Sequence, residues 1–256
     1  MVNLNDILGY KNRKIYQNDD YFSFSLDSVI LANFCSIRKR DKYILDLCSG
    51  NGIVPFIVSL RSSCHIDGVE IQKELFDLAV SSCELNNLSE QISFFNCDIK
   101  DFLNRENSEK YDLITCNPPF FKYSEDSFIN LGYEKTVARH EVLINLEEVV
   151  KISSSLLKSG GNLAMVHRTD RLLDVLFAFK KYNIEPKRIM FIYNKLSKGS
   201  TLFFIEGQKN GNVGLKIEKP FVVYNEDNSY TEEYSTITEE VLKWDKLVMM
   251  ILLHCI

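Results

Sequence analysis

The chain has 256 residues, 45% hydrophobic and 25% charged, which suits a globular protein of one large α/β domain or two small ones. Its longest apolar run, Leu247 to Leu253, falls far short of the roughly 20 residues of a membrane span, and the opening residues Met1 to Asp6 lack the basic-then-apolar pattern of a secretion signal, so a cytoplasmic protein without membrane contact is expected. A net charge of −5 counts against a partner held mainly through its phosphates.

Seven cysteines, Cys35, Cys48, Cys64, Cys83, Cys97, Cys116 and Cys255, are odd in number and widely spaced, with no C-x-x-C pair. They read as free thiols in a reducing compartment, without a metal site or a disulfide framework. Basic residues gather at Lys11, Arg13 and Lys14, at Arg38 to Lys42, and at Lys180, Lys181, Lys187, Arg188, Lys195 and Lys198, while acid is concentrated after Glu226. A basic face with an acidic tail and an ordinary solvated surface are both compatible with that distribution.

In chain order, residues 1–42 form an extension with a predicted helix from Asp27 to Ile37, and strand–helix alternation begins at residue 43. Strands are expected at Tyr43–Cys48, Ile66–Glu70, Ile92–Asn96 and Tyr111–Cys116, with helices at Gly52–Leu60 and Gln72–Asn86 between the first three. Residues 118–145 form a long connection of the kind that carries function. A helix over Leu146–Leu157 should stop at Gly160-Gly161, before a strand over Asn162–His167 and a helix over Asp170–Lys181 capped by Asp170. Runs at Arg188–Tyr193, Thr201–Glu206 and Leu215–Val223 close a mostly parallel sheet with an antiparallel edge, covered by helices on both faces. The division expected is 1–42, a main domain over 43–236 and a tail over 237–256.

The first sheet strand runs into Asp46-Leu47-Cys48-Ser49-Gly50-Asn51-Gly52, a tight turn whose glycines let a ligand approach the backbone. Glu70 ends the next strand, where a carboxylate can accept from the hydroxyls of a ribose. The third glycine of a dinucleotide fingerprint is replaced by Pro55, and no pyrophosphate cradle is present. The ligand therefore reads as a nucleoside without phosphates, and S-adenosylmethionine fits. Asp98, after the third strand, is either an acceptor for the cofactor's adenine amine or the cap of a helix that begins at Ile99. Asp46 is placed to meet the cofactor's ammonium group.

Asn117-Pro118-Pro119-Phe120 follows the fourth strand, where two prolines stiffen the backbone and remove two N–H donors. The exocyclic amine of adenine is a weak nucleophile that carries two hydrogens. The Asn117 side-chain oxygen and the Pro118 carbonyl can accept both, favouring a pyramidal nitrogen aimed at a methyl donor. Phe120 offers a stacking face worth about 1–3 kcal/mol. Alignment supplies most of the acceleration, and the base must be single-stranded, looped or flipped out to be reached.

On these residues, with Gln17, the block Phe22 to Ala32 and Arg139-His140-Glu141, the chain resembles the bacterial tRNA(Val) adenine N6-methyltransferases, from about residue 8 to about residue 236. The resemblance implies a class I methyltransferase fold with a seven-stranded sheet, S-adenosylmethionine as cofactor and a tRNA anticodon-loop adenine as acceptor. It implies that Asn117, Pro118, Pro119 and Phe120 are catalytic. The implied cofactor set is Gln17, Phe24, Ser25, Asp27, Asp46, Cys48, Gly50, Gly52, Glu70, Ile71, Asp98, Ile99 and Asn117. The resemblance implies that Arg139 and His140, with Glu141, order the long loop or contact the RNA; apart from the resemblance, Lys187 and Arg188 are either RNA phosphate contacts or a plain solvated pair. Two departures are Cys48-Ser49-Gly50, where many relatives carry Gly-Thr/Ala-Gly, and the tail beyond Ile237. The rival readings are a methyltransferase of this fold acting on guanine N2 of ribosomal RNA or on a protein glutamine, and a non-catalytic RNA-binding protein.

Overall fold

The computed structural model describes residues 2–7, 10–18, 26–118 and 145–242. Strands β1 (Val2–Ile7) and β2 (Tyr10–Asn18) pair antiparallel, and α1 (Leu26–Phe34) follows. The alternation then runs β3 (Tyr43–Leu47), α2 (Ile53–Arg61), β4 (His65–Glu70), α3 (Lys73–Leu85), β5 (Ile92–Asn96), α4 (Ile99–Phe102), β6 (Tyr111–Cys116), α5 (Leu146–Leu156), β7 (Leu157–Arg168), α6 (Leu172–Lys181), β8 (Ile184–Tyr193) and β9 (Leu202–Lys209). Short strands β10 (Lys216–Ile217) and β11 (Phe221–Val222) and helix α7 (Glu232–Leu242) complete it.

The main sheet has the order β10-β8-β9-β7-β6-β3-β4-β5, with β11 also on β8. All neighbours pair parallel except β9, which runs antiparallel to both β7 and β8. The expected antiparallel strand is therefore present, but two places in from the edge formed by β10. The sheet has nine strands, seven of them five residues or longer and two, β10 and β11, only two residues long. The single run expected over Leu215–Val223 is instead two two-residue strands parallel to β8, separated by a segment containing Pro220, which has no N–H for a ladder.

The strands alternate between two cores. Ile44, Ile66, Ile92, Leu113 and Ala164 face the cluster made with α1, α2 and α3, and Leu45, Leu47, Val69 and Leu163 face the one made with α4, α5 and α6. Each fully buried aliphatic or aromatic side chain here is worth about 1.5–3 kcal/mol. Because β3 feeds β4 and β5 on one side and β6 and β7 lie on the other, the chain reverses direction across the sheet at β3/β6. The carboxyl ends of those two strands form the crevice where open α/β sheets bind ligands.

Three local expectations change. Gly160-Gly161 does not stop a helix: α5 ends at Leu156, β7 starts at Leu157, and the glycines sit in an irregularity where the pairing jumps from Leu157–Tyr111 to Asn162–Leu113, with Gly160 at φ 78°. Asp170 does not cap α6. Its carboxylate takes Arg168 at 2.7 Å, and a 3-10 turn over Thr169–Arg171 leads into a helix with no side-chain cap. Val2–Ile7 and Tyr10–Asn18 are strands that the sequence did not announce. The hairpin buries Ile7 and Ile15 and clips onto α3 through Tyr16 N to Ser82 Oγ (2.9 Å) and Lys14 N to Asn86 Oδ1 (2.9 Å). The boundary placed after residue 236 falls inside α7. Among the described residues no helix is long and apolar enough to cross a membrane.

Candidate active site

β3 and β6 end in register, Leu47 beside Cys116, and β4 ends alongside β3 with Val69 beside Leu47. The carboxyl ends thus place the turn after β3, Glu70 and Asn117 on one rim. The turn is held by Ser49 N to Val69 O and Gly52 N to Ser49 O, both 3.0 Å. Cys48, Gly50 and Gly52 all have positive φ, at 56°, 56° and 89°. A cysteine at the first of these positions carries a left-handed strain of about 1–2 kcal/mol that a glycine would not.

The two glycines serve different ends. A Cβ on Gly52 would lie 2.7 Å from Phe94 Cζ and 3.1 Å from the Phe56 ring, so Gly52 is needed by packing beneath the turn. A Cβ on Gly50 would meet nothing within 4 Å, so Gly50 faces the open crevice. Gly52→Ala is expected to destabilise the fold by about 2–5 kcal/mol, from left-handed strain plus overpacking. Gly50→Ala should cost only the strain, about 1–2 kcal/mol. Urea titration of both variants checks this, and equal losses would contradict the division of roles.

Asp46 is 2% exposed in the middle of the rim. Its Oδ1 accepts from Thr115 Oγ1 at 2.6 Å, and its Oδ2 is buried with no hydrogen-bond partner among the described residues. The equally buried Ser49 hydroxyl lies close enough to favour the charged form without meeting hydrogen-bond geometry. Burial dominates and pushes the carboxyl up to about 7, with the nearby Glu70 adding in the same direction. An orphaned carboxylate oxygen of this kind fits a cationic ligand group.

Glu70 is buried, and burial raises its pKa. Its Oε2 accepts from Gly50 N and its Oε1 from Gln72 N, both at 2.8 Å. Oε1 also accepts from Gln72 Nε2 at 3.5 Å, so Oε2 is the oxygen with a lone pair left for a hydroxyl donor. Asn96 fixes this corner by donating from Nδ2 to the Glu70 and Ile71 carbonyls at 2.9 and 3.1 Å, and Ile71 is 39% exposed beside it. Asp98 is the N-cap of α4, accepting from Lys100 N at 2.9 Å, with Ile99 buried behind it.

Asn117 is half-buried just past β6, and its Nδ2 donates to Ser28 Oγ of α1 at 3.0 Å; Pro118 is buried. Gln17 is 8% exposed and its Oε1 accepts from Asn5 Nδ2 at 2.6 Å. One residue earlier, Tyr16 O accepts from Asn51 Nδ2 at 3.4 Å, so β2 touches the turn directly. Asp27 is half-buried in the first turn of α1. Phe24, Ser25, Pro119, Phe120, Arg139 and His140 lie outside the described residues.

Arg188 is not a free phosphate contact. Its guanidinium lies 4.1 Å from the Phe34 ring centre, donates to the Phe34 carbonyl and pairs with the buried Glu206 at 3.4 Å, tying α1 to β8. Lys187 Nζ donates to Asn212 O at 2.8 Å. Among the described residues no group of three His, Cys, Asp or Glu is arranged to hold a metal ion. Sequence reading missed Thr115, Asn96 and Ser28. Thr115 was detectable as a lone polar residue in an apolar strand; the other two have partners that only the fold brings near.

The family model described as "Methyltransferase small domain" matches residues 25–183. The tRNA1(Val) (adenine(37)-N6)-methyltransferase of Flavobacterium psychrophilum is 24% identical over 91% of this chain and 97% of that protein. The protein of the same name from Flavobacterium johnsoniae is 26% identical over 90% and 97%. Among solved structures, a predicted O-methyltransferase from Agrobacterium tumefaciens superposes with a TM-score of 0.66 at 17% identity, over 84% of this chain and 96% of that one. TYW2 of Pyrococcus horikoshii in complex with MeSAdo gives 0.57 at 15% identity, over 82% and 72%.

Proposed function

The chain belongs to the methyltransferase small-domain family, and from that premise we propose that it methylates N6 of an adenine in the anticodon loop of a tRNA, with tRNA(Val) as the acceptor. The cofactor is S-adenosylmethionine, and the curated relatives named for adenine-37 of tRNA1(Val) support the choice of acceptor. The single observation that carries the reading is the rim at β3/β6. Asn117 directly follows β6, the strand paired with the one that carries Asp46, and a buried Asp46 oxygen has no hydrogen-bond partner among the described residues.

S-adenosylmethionine, when bound, supplies a methyl group on a sulfonium. The ammonium of its amino-acid end matches the orphaned oxygen of Asp46, and a ribose hydroxyl matches the remaining lone pair of Glu70 Oε2. Gly50 leaves the room. On the acceptor side, the Asn117 oxygen and the Pro118 carbonyl hold the two hydrogens of the amine, so that its lone pair points across the rim. Methyl transfer to a nitrogen held in this way would leave an ammonium acidic enough to lose its extra proton without a dedicated base. Alignment of this kind lowers barriers by several kcal/mol. The anticodon loop offers an adenine already outside a duplex. Such an enzyme works in the cytoplasm, where its tRNA is.

Incubation with methyl-labelled cofactor and total tRNA, followed by nucleoside analysis, tests the proposal. Label in N6-methyladenosine is the expected result. Label in N2-methylguanosine, or transfer only to protein, would replace it with one of the rival acceptors. Absence of cofactor binding would favour a non-catalytic RNA-binding protein.

A further inference from the structure

A carboxamide has two chemically opposite ends. If Asn117 is to accept a hydrogen from the acceptor amine, its oxygen must face the crevice and its two N–H donors must face away. In the reversed orientation the amide hydrogens would meet the hydrogens of the amine, and the acceptor would be lost. Asn117 therefore needs a partner for its nitrogen.

That partner is on α1. Ser28 Oγ accepts from Asn117 Nδ2 at 3.0 Å across 89 residues of sequence. Ser28 is 7% exposed and stands next to Val29, Ile30, Leu31 and Ala32, all at most 1% exposed in the core shared with α2. A hydroxyl anchored on so tightly packed a segment has little freedom to follow a moving side chain. It engages the nitrogen end of the amide and leaves the oxygen for the crevice.

We infer that Ser28 is a positioning residue that orients the carboxamide of Asn117, with α1 acting as the back wall of the acceptor pocket. The inference rests on the amine-methylation reading for its catalytic consequence. The Ser28–Asn117 bond itself does not depend on that reading. Among the described residues Ser28 hydrogen-bonds neither the turn after β3 nor Glu70, so its effect should fall on turnover and spare cofactor binding.

The test compares Ser28→Ala and Ser28→Thr with the wild type. Ser28→Ala should lower kcat on tRNA about ten- to a hundredfold, as expected when a group that must be held within a fraction of an ångström is released. Its affinity for S-adenosylmethionine should stay within about twofold, because a merely structural defect would weaken both. Ser28→Thr, which keeps the hydroxyl, should recover most of the loss. Independently of any substrate, the Asn117 side-chain amide signals in a nitrogen-15 spectrum should shift and exchange faster with water in Ser28→Ala. Unmoved amide signals, or full turnover in Ser28→Ala, would overturn the inference. A wild-type enzyme that methylates no tRNA would instead sink the proposed function, and the amide signals would still decide whether Ser28 holds Asn117.

Discussion

Asn117→Ala is expected to lower kcat by about a thousandfold or more while leaving the Kd for S-adenosylmethionine within about twofold. The size follows from the kind of contact removed. An acceptor that grips a hydrogen of the amine is useful only where charge develops on nitrogen, and preorganised groups aimed at developing charge are among the largest single contributions to catalysis. The selectivity follows from geometry. The Asn117 amide is bonded to Ser28, whereas Asp46 is held by Thr115 and Glu70 by Gly50 and Gln72. Removing the carboxamide therefore leaves the cofactor side of the rim intact. Single-turnover methyl transfer and calorimetric titration measure the two quantities separately. A large loss of cofactor affinity with little loss of turnover would move Asn117 into the cofactor's binding set alone.

Asp46→Asn should do the reverse, weakening S-adenosylmethionine by about a hundredfold, since losing one partner of a buried charge pair costs roughly 2–5 kcal/mol. The wild-type pH profile gives a sharper signature. Burial raises the Asp46 carboxyl to about 7 in the unliganded protein. A cationic ammonium requires the carboxylate, so below pH 7 binding must first expel a proton, and affinity should fall by up to tenfold per unit of pH. Above pH 7 the contribution of this group levels off. Stability moves in the opposite sense. The folded value lies above the ordinary 3.8, so this group's stabilisation is fully present below about pH 4 and is lost as the pH rises to about 7. Asp46→Asn lacks this titration, so without cofactor its Tm should exceed that of the wild type by more at pH 8 than at pH 5. Proton release on binding, read from calorimetry in buffers of different ionisation enthalpy, should approach one at pH 6 in the wild type and drop in the variant. An affinity flat from pH 6 to pH 8 would show that Asp46 does not meet the ammonium.

Most of the sheet was legible because its strands are short apolar runs between clear breakers. The strands at β3 to β6 fall within one residue of the expected bounds, and so do α2 and α3. What failed has physical causes. Strand β1 is largely exposed, with Ile7 its only buried residue, and it forms against β2, the strand that docks on α3. Gly160-Gly161 suits both a helix stop and a strand irregularity, and the Tyr111 and Leu113 pairings decide between them. The candidate site was visible through residues whose chemistry is local: Asp46, Gly50, Glu70 and the start of the Asn117 motif. The contacts of Arg188 were not legible, because a basic residue in sequence says nothing of the Glu206 and Phe34 that the fold sets beside it. Ser28 was invisible as an individual residue because its meaning lies in a contact with a side chain far along the chain.

The most direct measurement is nucleoside mapping of tRNA(Val) from cells whose only copy of this gene carries Asn117→Ala. The account predicts that the adenine following the anticodon loses its N6-methyl group and regains it when the wild-type gene is restored. A methyl group that persists in full at that adenine while the variant protein is stably folded and no other copy is present would contradict it.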